Sequence, residues 1–218
     1  MRKFGTNSLA GFTIIELSVV VGIVLIISAM VLFNNGRFNS AILLRSLAYQ
    51  VGLSLREAQL YGVAVKEVTP GSGAFSAAYG IYLPASIIGI PNSTYPLFAD
   101  LNNNGLYDDG SASVVENFTL KNFFMLDNFC ALQGTGPMQC AGACPSPLPS
   151  GALSCAPGSL GWTTVTFVRP NPNAIILTDF SSSLPSSYVT AYITVSSQNG
   201  STRTVSISAT GQIIINDN

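Results

Sequence analysis

A continuous apolar stretch lies near the start of the chain. Residues 12–33 (FTIIELSVVVGIVLIISAMVLF) contain one charged side chain, Glu16. As a helix they are long enough to cross a hydrocarbon core of about 30 Å. A short polar segment with Arg2 and Lys3 precedes them, and basic residues before a span favour a cytoplasmic N-terminus. The pattern predicts one membrane-spanning helix within residues 12–36.

The helical pattern continues in amphipathic form over residues 37–62. Apolar or small residues recur at spacings of three and four, which predicts one buried stripe: Leu44, Leu47, Val51, Leu55, Ala58, Gly62 and Val65. The opposite side is expected to carry Arg45, Arg56, Glu57 and Gln59. Asn34-Asn35-Gly36 contains only poor helix formers, so it is a predicted weak point between the two halves.

Residues 63–218 change to short runs of β-branched and aromatic residues separated by Gly, Pro, Asn and Ser. These runs predict strands at 63–68, 78–83, 114–121, 163–169, 174–178, 188–196, 202–208 and 212–215. Gln198-Asn199-Gly200 is typical of a tight hairpin. The expected fold class is α+β. A long N-terminal helix, membrane-spanning in its first half and amphipathic in its second, packs on an antiparallel β-sandwich head.

Composition narrows the possible chemistry. The chain has 218 residues, only 9% of them charged, and no histidine, so histidine-based triads and histidine-ligated zinc or haem are excluded. Residues 70–218 hold three basic and seven acidic side chains. Nucleic-acid affinity depends on clustered Lys and Arg, so nucleic acid is not expected as a partner. No cofactor is expected, and no nucleophile–base pair suggests an enzyme.

Glu16 requires a reason to lie in an apolar helix. A carboxylate within a membrane helix costs about 2.5–3.5 kcal/mol on insertion scales. One interpretation places Glu16 near the lipid headgroups, where the helix dipole also favours an anion. The other is that the carboxylate has a cationic partner, which makes its burial tolerable.

The sequence Gly11-Phe12-Thr13-Ile14-Ile15-Glu16-Leu17, with its basic leader and following apolar helix, resembles the type IV prepilin processing motif. The resemblance implies that residues 1–11 are a leader, that a prepilin peptidase cuts after Gly11, and that Phe12 becomes an N-methylated first residue. It further implies that Glu16 pairs with the Phe12 amine of an adjacent subunit during assembly. The alternative is a signal-anchor helix without processing.

Other segments resemble type II secretion protein H, a minor pseudopilin, and its FimT-like pilin relatives. They are residues 47–65 (LAYQVGLSLREAQLYGVAV), 97–110 (LFADLNNNGLYDDG) and 204–213 (TVSISATGQI). The resemblance implies a low-copy structural subunit of a type IV pilus or type II secretion pseudopilus. Its implied partners are other pilins or pseudopilins and an inner-membrane assembly platform. The subunit would start as a single-pass inner-membrane protein with its head in the periplasm or outside the cell.

Residues 100–108 form a candidate calcium loop. Oxygen side chains at loop positions 1, 3, 5 and 9, with glycine at position 6, match the front half of an EF-hand-like loop. The candidate ligands are Asp100, Asn102, Asn104, the Leu106 carbonyl and Asp108. Ser111 stands at position 12, so Asp109 or Glu116 would have to complete the shell. The alternative is a loop of Asx turns without metal.

Four cysteines lie in a loop predicted over residues 130–155: Cys130, Cys140, Cys144 and Cys155. Outside the cytoplasm we expect two disulfides, although sequence alone cannot choose among the three pairings. A four-cysteine zinc site is the alternative, but the spacing lacks its usual short pairs.

The predicted function is therefore a structural minor pilin or pseudopilin subunit. A second hypothesis is a FimT-like head that binds DNA or a surface ligand, although only Arg203 lies near the C-terminus where clustered arginines would be expected. A membrane-anchored envelope enzyme is a third hypothesis, with no visible catalytic constellation behind it.

Overall fold

One long helix occupies the N-terminal part of the described chain. In this computed structural model α1 spans Ile14–Val63. The structure describes residues 11–64, 66–68, 71, 73, 75–85, 93–107, 112–120, 124–134, 136–181, 188–197 and 200–216, without the side chains of residues 33–40 and 112. The helix continues through Asn34-Asn35-Gly36, where the sequence predicts a weak point.

The chain divides into two compact units, Met1–Ala41 and Ile42–Asn218, with the boundary inside α1. In the first unit Ile14–Leu32 has a mean hydropathy of 2.7, and its 18 most apolar consecutive residues are not buried. This segment is therefore long and apolar enough to cross a membrane. The predicted apolar helix is present, while its orientation stays a prediction.

The second unit follows the last part of α1 with short strands. They are β1 (Ala78–Pro84), β2 (Thr94–Asp100), β3 (Ala112–Thr119), β4 (Met125–Gln133), β5 (Met138–Cys140), β6 (Cys155–Ala156), β7 (Trp162–Phe167), β8 (Ala174–Thr178), β9 (Tyr188–Ser196), β10 (Thr202–Ser208) and β11 (Ile213–Asn216).

These strands form two sheets. One has the order β3-β2-β1-β7-β8 and is antiparallel throughout. The other has the order β11-β10-β9-β4-β5-β6 and is antiparallel except for the short β5–β6 pair. The α+β class and the predominance of antiparallel pairing are thus confirmed.

The helix and both sheets contribute to one buried cluster. The predicted apolar stripe supplies Leu44, Leu47, Val51, Leu55 and Ala58, all less than 9% exposed. Gly62 continues the stripe where α1 touches β7. A Cβ atom built on Gly62 would lie 2.6 Å from the Phe167 carbonyl oxygen, so only glycine permits this approach.

Three details differ from the sequence predictions. The strand expected at 63–68 is not formed: α1 continues to Val63, and residues 66–68 are not a strand. Gln59 is buried, not exposed, because its amide bonds to two carbonyl groups of the head. Strands β2, β4, β5 and β6 are not among the strands that the sequence predicts, and β5 and β6 fall within the loop expected over residues 130–155.

Candidate functional site

The residues of the prepilin-like motif lie at the beginning of α1. Phe12 is 81% exposed, and Glu16 lies in the first turn. The Glu16 backbone N–H donates to Thr13 Oγ1 at 3.3 Å. Thr13 therefore acts as the N-cap, and Thr13-Ile14-Ile15-Glu16 has the sequence of a capping box. This capping role is not among the sequence predictions, although the T-x-x-E spacing is a signal for it.

Glu16 has no ion-pair partner among the residues that the structure describes. It is exposed on an apolar helix, beside side chains such as Ile15 and Leu17 that are 75% and 61% exposed. The predicted leader, residues 1–11, lies outside the described residues apart from Gly11. Cleavage after Gly11 and methylation of Phe12 stay predictions.

The loop after β2 is held by its own polar groups. The Gly105 N–H donates to the Asp100 carboxylate at 2.7 Å, and Asp100 is only 2% exposed. Burial raises the pKa of the Asp100 carboxyl, while backbone N–H groups of the loop oppose that shift. Gly105 has a φ of 81°, which explains why glycine stands at this turn.

The side-chain oxygens of Asn102 and Asn104 also accept hydrogen bonds from backbone N–H groups of this loop. Asn102 Oδ1 accepts the Asn104 N–H at 3.1 Å, and Asn104 Oδ1 accepts the Leu106 N–H at 2.8 Å. These are Asx turns, which are the metal-free alternative. Asp108, the fifth candidate ligand, lies outside the described residues, so calcium binding stays a prediction.

The four cysteines form two disulfides, Cys130–Cys140 and Cys144–Cys155. Cys130 and Cys140 are directly opposite each other on β4 and β5. The sulfurs of Cys140 and Cys155 lie 3.6 Å apart, so the two bonds are in contact. Zinc requires thiolates, and sulfurs bonded in pairs do not supply them. The loop predicted over 130–155 is therefore a pair of stapled strands followed by a proline-rich segment.

A cluster of ionisable side chains lies where α1 ends. Lys66 Nζ is 3.0 Å from the centre of the Tyr61 ring, and the Tyr61 hydroxyl donates to Glu57 at 2.6 Å. That hydrogen bond, together with burial, raises the pKa of Tyr61 to about 12. Burial lowers the pKa of Lys66. A cation over an aromatic ring is stabilising, so this cluster fixes the segment that leaves the helix.

The described residues bring the four cysteines together in one cluster and the candidate calcium ligands into one hydrogen-bonded loop. Gly11, Phe12 and Glu16 belong to the other compact unit. Arg169 donates to the Phe75 carbonyl oxygen and thus has a structural contact. A scan against models of protein families, a search of curated proteins and a search of solved structures each found no match.

Proposed function

We propose that this chain is a structural subunit of a type IV pilus or a type II secretion pseudopilus, present as a minor component. One observation carries the proposal. The sequence GFTIIEL, residues 11–17, leads into an apolar helix, Ile14–Leu32, whose most apolar residues are not buried among the residues that the structure describes. A helix that is hydrophobic all round needs lipid or other helices around it. In the proposed function lipid surrounds the helix before assembly, and the helices of sister subunits surround it in the filament.

Processing supplies the first step. Cutting after Gly11 leaves the apolar helix on the product, whereas ordinary signal cleavage removes it. The product begins with Phe12, and its α-amino group is a cation at neutral pH. The partners of this stage are a prepilin peptidase, which removes the leader of residues 1–11, and an inner-membrane assembly platform.

Assembly uses the spacing of Phe12 and Glu16. Four residues correspond to a rise of about 6 Å along a helix. A sister subunit shifted by that distance brings its Phe12 amine beside this Glu16 carboxylate. A carboxylate in an apolar filament core is tolerated when it is paired and costly when it is not. The pair thereby favours one axial register over others.

The head is proposed to be a β-sandwich that packs on the second half of the helix and is exported. Two disulfides fit an oxidising compartment such as the periplasm or the cell exterior. Residues 70–218 hold three basic and seven acidic side chains, so the head has no stripe of basic residues for nucleic acid. The head is therefore a structural module of the filament.

The test of this proposal is incorporation into filaments. In a host with the assembly machinery, Glu16→Ala should reduce the amount recovered in sheared filaments about tenfold or more, because it leaves the partner's amine unpaired. Asp127→Ala, which removes an exposed carboxylate on β4, is the matched control and should assemble normally. Equal recovery of Glu16→Ala and the parent chain would contradict the proposal.

A further inference from the structure

A groove of about 500 Å³ lies on the six-stranded sheet, on the face turned away from the core. Along β9 the side chains alternate: Ala191, Ile193 and Val195 are buried in the core, whereas Tyr192 and Thr194 point to the other face and line the groove. Pockets of roughly 300–1,000 Å³ are typical of small-molecule sites. Assembly through the N-terminal helix makes no use of this feature.

The proline-rich segment 145–150 (PSPLPS) forms the opposite wall of the groove. The Cys144–Cys155 disulfide anchors one end of this segment. Asn128 anchors the turn before it, since its side chain accepts the Gly142 N–H at 2.7 Å and donates to the Ala143 carbonyl at 2.6 Å. Proline fixes φ, so the wall is preorganised, which lowers the entropic cost of binding.

Within the part of the chain that the structure describes, the lining carries no side chain that is charged at neutral pH. Its polar groups are hydroxyls and amides, including those of Thr194, Thr204 and Asn216. Thr194 Oγ1 and Thr204 Oγ1 lie 3.2 Å apart. Burial raises the pKa of Tyr192, so its phenol stays neutral. An anionic or cationic ligand would lose its hydration without gaining a counter-charge.

The apolar part of the lining selects further among neutral ligands. The Tyr192 ring and the Leu148 side chain, which is 40% exposed, provide apolar surface beside the hydroxyls. The backbone amides beneath them are used in the β9–β10 and β9–β4 ladders, so a peptide cannot join this face as an added strand. A lipid chain would gain little beside so many hydroxyl and amide groups.

We propose that this groove binds a neutral saccharide. The apolar C–H face of a pyranose ring matches the Tyr192 ring, and its hydroxyls match the threonine hydroxyls and the Asn216 amide, which both donate and accept. The role goes beyond the proposed structural function and does not depend on it, since a head that never enters a filament would still carry the groove.

The test is saccharide binding by the full chain in a polyoxyethylene detergent, since a glycosidic detergent would compete. The probes are N-acetylglucosamine trisaccharide and oligomers of glucose, galactose and mannose. Saturation-transfer NMR measures the binding of each probe. A glucuronate oligomer is the charged comparison. We expect at least one neutral probe to bind and the glucuronate oligomer not to bind. Absence of binding by every neutral probe at about 10 mM, or tighter binding of glucuronate, would overturn the proposal.

Variants locate the site. Thr204→Val keeps the shape of the side chain and removes its hydroxyl, and Asn216→Ala changes an exposed strand end, so both should fold. Tyr192→Ala, Thr204→Val and Asn216→Ala should each weaken saccharide binding about tenfold or more. Tyr49→Ala, which changes an exposed tyrosine on α1, is the matched control and should bind as the parent does. Unchanged affinity in all three groove variants would place the saccharide elsewhere and contradict the proposal.

Discussion

Tyr95 connects the helix to the sheets through one buried polar contact. Its hydroxyl lies 3.1 Å from Ser54 Oγ, and Ser54 also donates to the Val51 carbonyl at 2.8 Å. Tyr95→Phe should cost about 1 kcal/mol of unfolding free energy, because Ser54 keeps its second partner and no buried group is left unpaired. Denaturant unfolding followed by the fluorescence of Trp162, the one tryptophan in the sequence, measures this loss. A loss above about 3 kcal/mol would mean that the pair has a larger role.

Tyr95 also makes the free energy of unfolding depend on pH in the alkaline range. Burial raises its pKa to about 12 from the ordinary value of 10.0. The folded protein therefore holds this proton more tightly than the unfolded chain does. The resulting stability is fully present below pH 10 and is lost as pH rises from 10 to about 12. The difference in unfolding free energy between the parent and Tyr95→Phe should shrink over that range, and a constant difference would contradict this assignment.

Gln59 joins α1 to two distant loops of the head. Its amide nitrogen donates to the Pro172 carbonyl at 2.8 Å and to the Gly211 carbonyl at 3.1 Å. Gln59→Ala should cost about 2 kcal/mol, since the Gly211 carbonyl loses its partner in a buried place and the Pro172 carbonyl loses its partner in a partly buried one. Leu60→Ala, at an exposed neighbouring position, should cost much less. Equal losses for the two variants in urea unfolding would show that the bonds contribute nothing.

The same element shows what a pattern can and cannot predict. The buried stripe of α1 follows from the 3.6-residue period, which is local information. Burial of Gln59 depends on carbonyls 113 and 152 residues away in sequence, so no local pattern contains it. The Thr13 cap, in contrast, follows from the T-x-x-E spacing of Thr13 and Glu16, which is local information.

The stapled strands set the stability of the head as a whole. Cys130 and Cys140 are buried with Leu132 and Met138 in a second small core. Cys130→Ala with Cys140→Ala should cost about 3 kcal/mol from the entropy of the unfolded chain, and more from lost packing. Cys144→Ala with Cys155→Ala, which removes two half-buried sulfurs, should cost less. Urea unfolding without reductant compares them, and the reverse order would contradict this account.

At this scale the sequence predicted the apolar helix and the α+β class better than the details of the head. The apolar helix, the amphipathic stripe and strands β7 to β10 follow from periodicity. The disulfide pairing does not, because it depends on β4 and β5 lying opposite each other. Cys130 looked like the start of a loop when it is in fact part of a nine-residue strand.

The central claim is that the apolar helix remains on the mature protein and begins with a new N-terminus. Mass spectrometry of the full-length gene product, isolated from membranes of a host that contains a prepilin peptidase, tests it most directly. We predict a first residue of Phe12 carrying one methyl group on its amine, with Glu16 and the whole helix retained. A chain that still carries residues 1–11, or one cut after the apolar helix, would contradict the account.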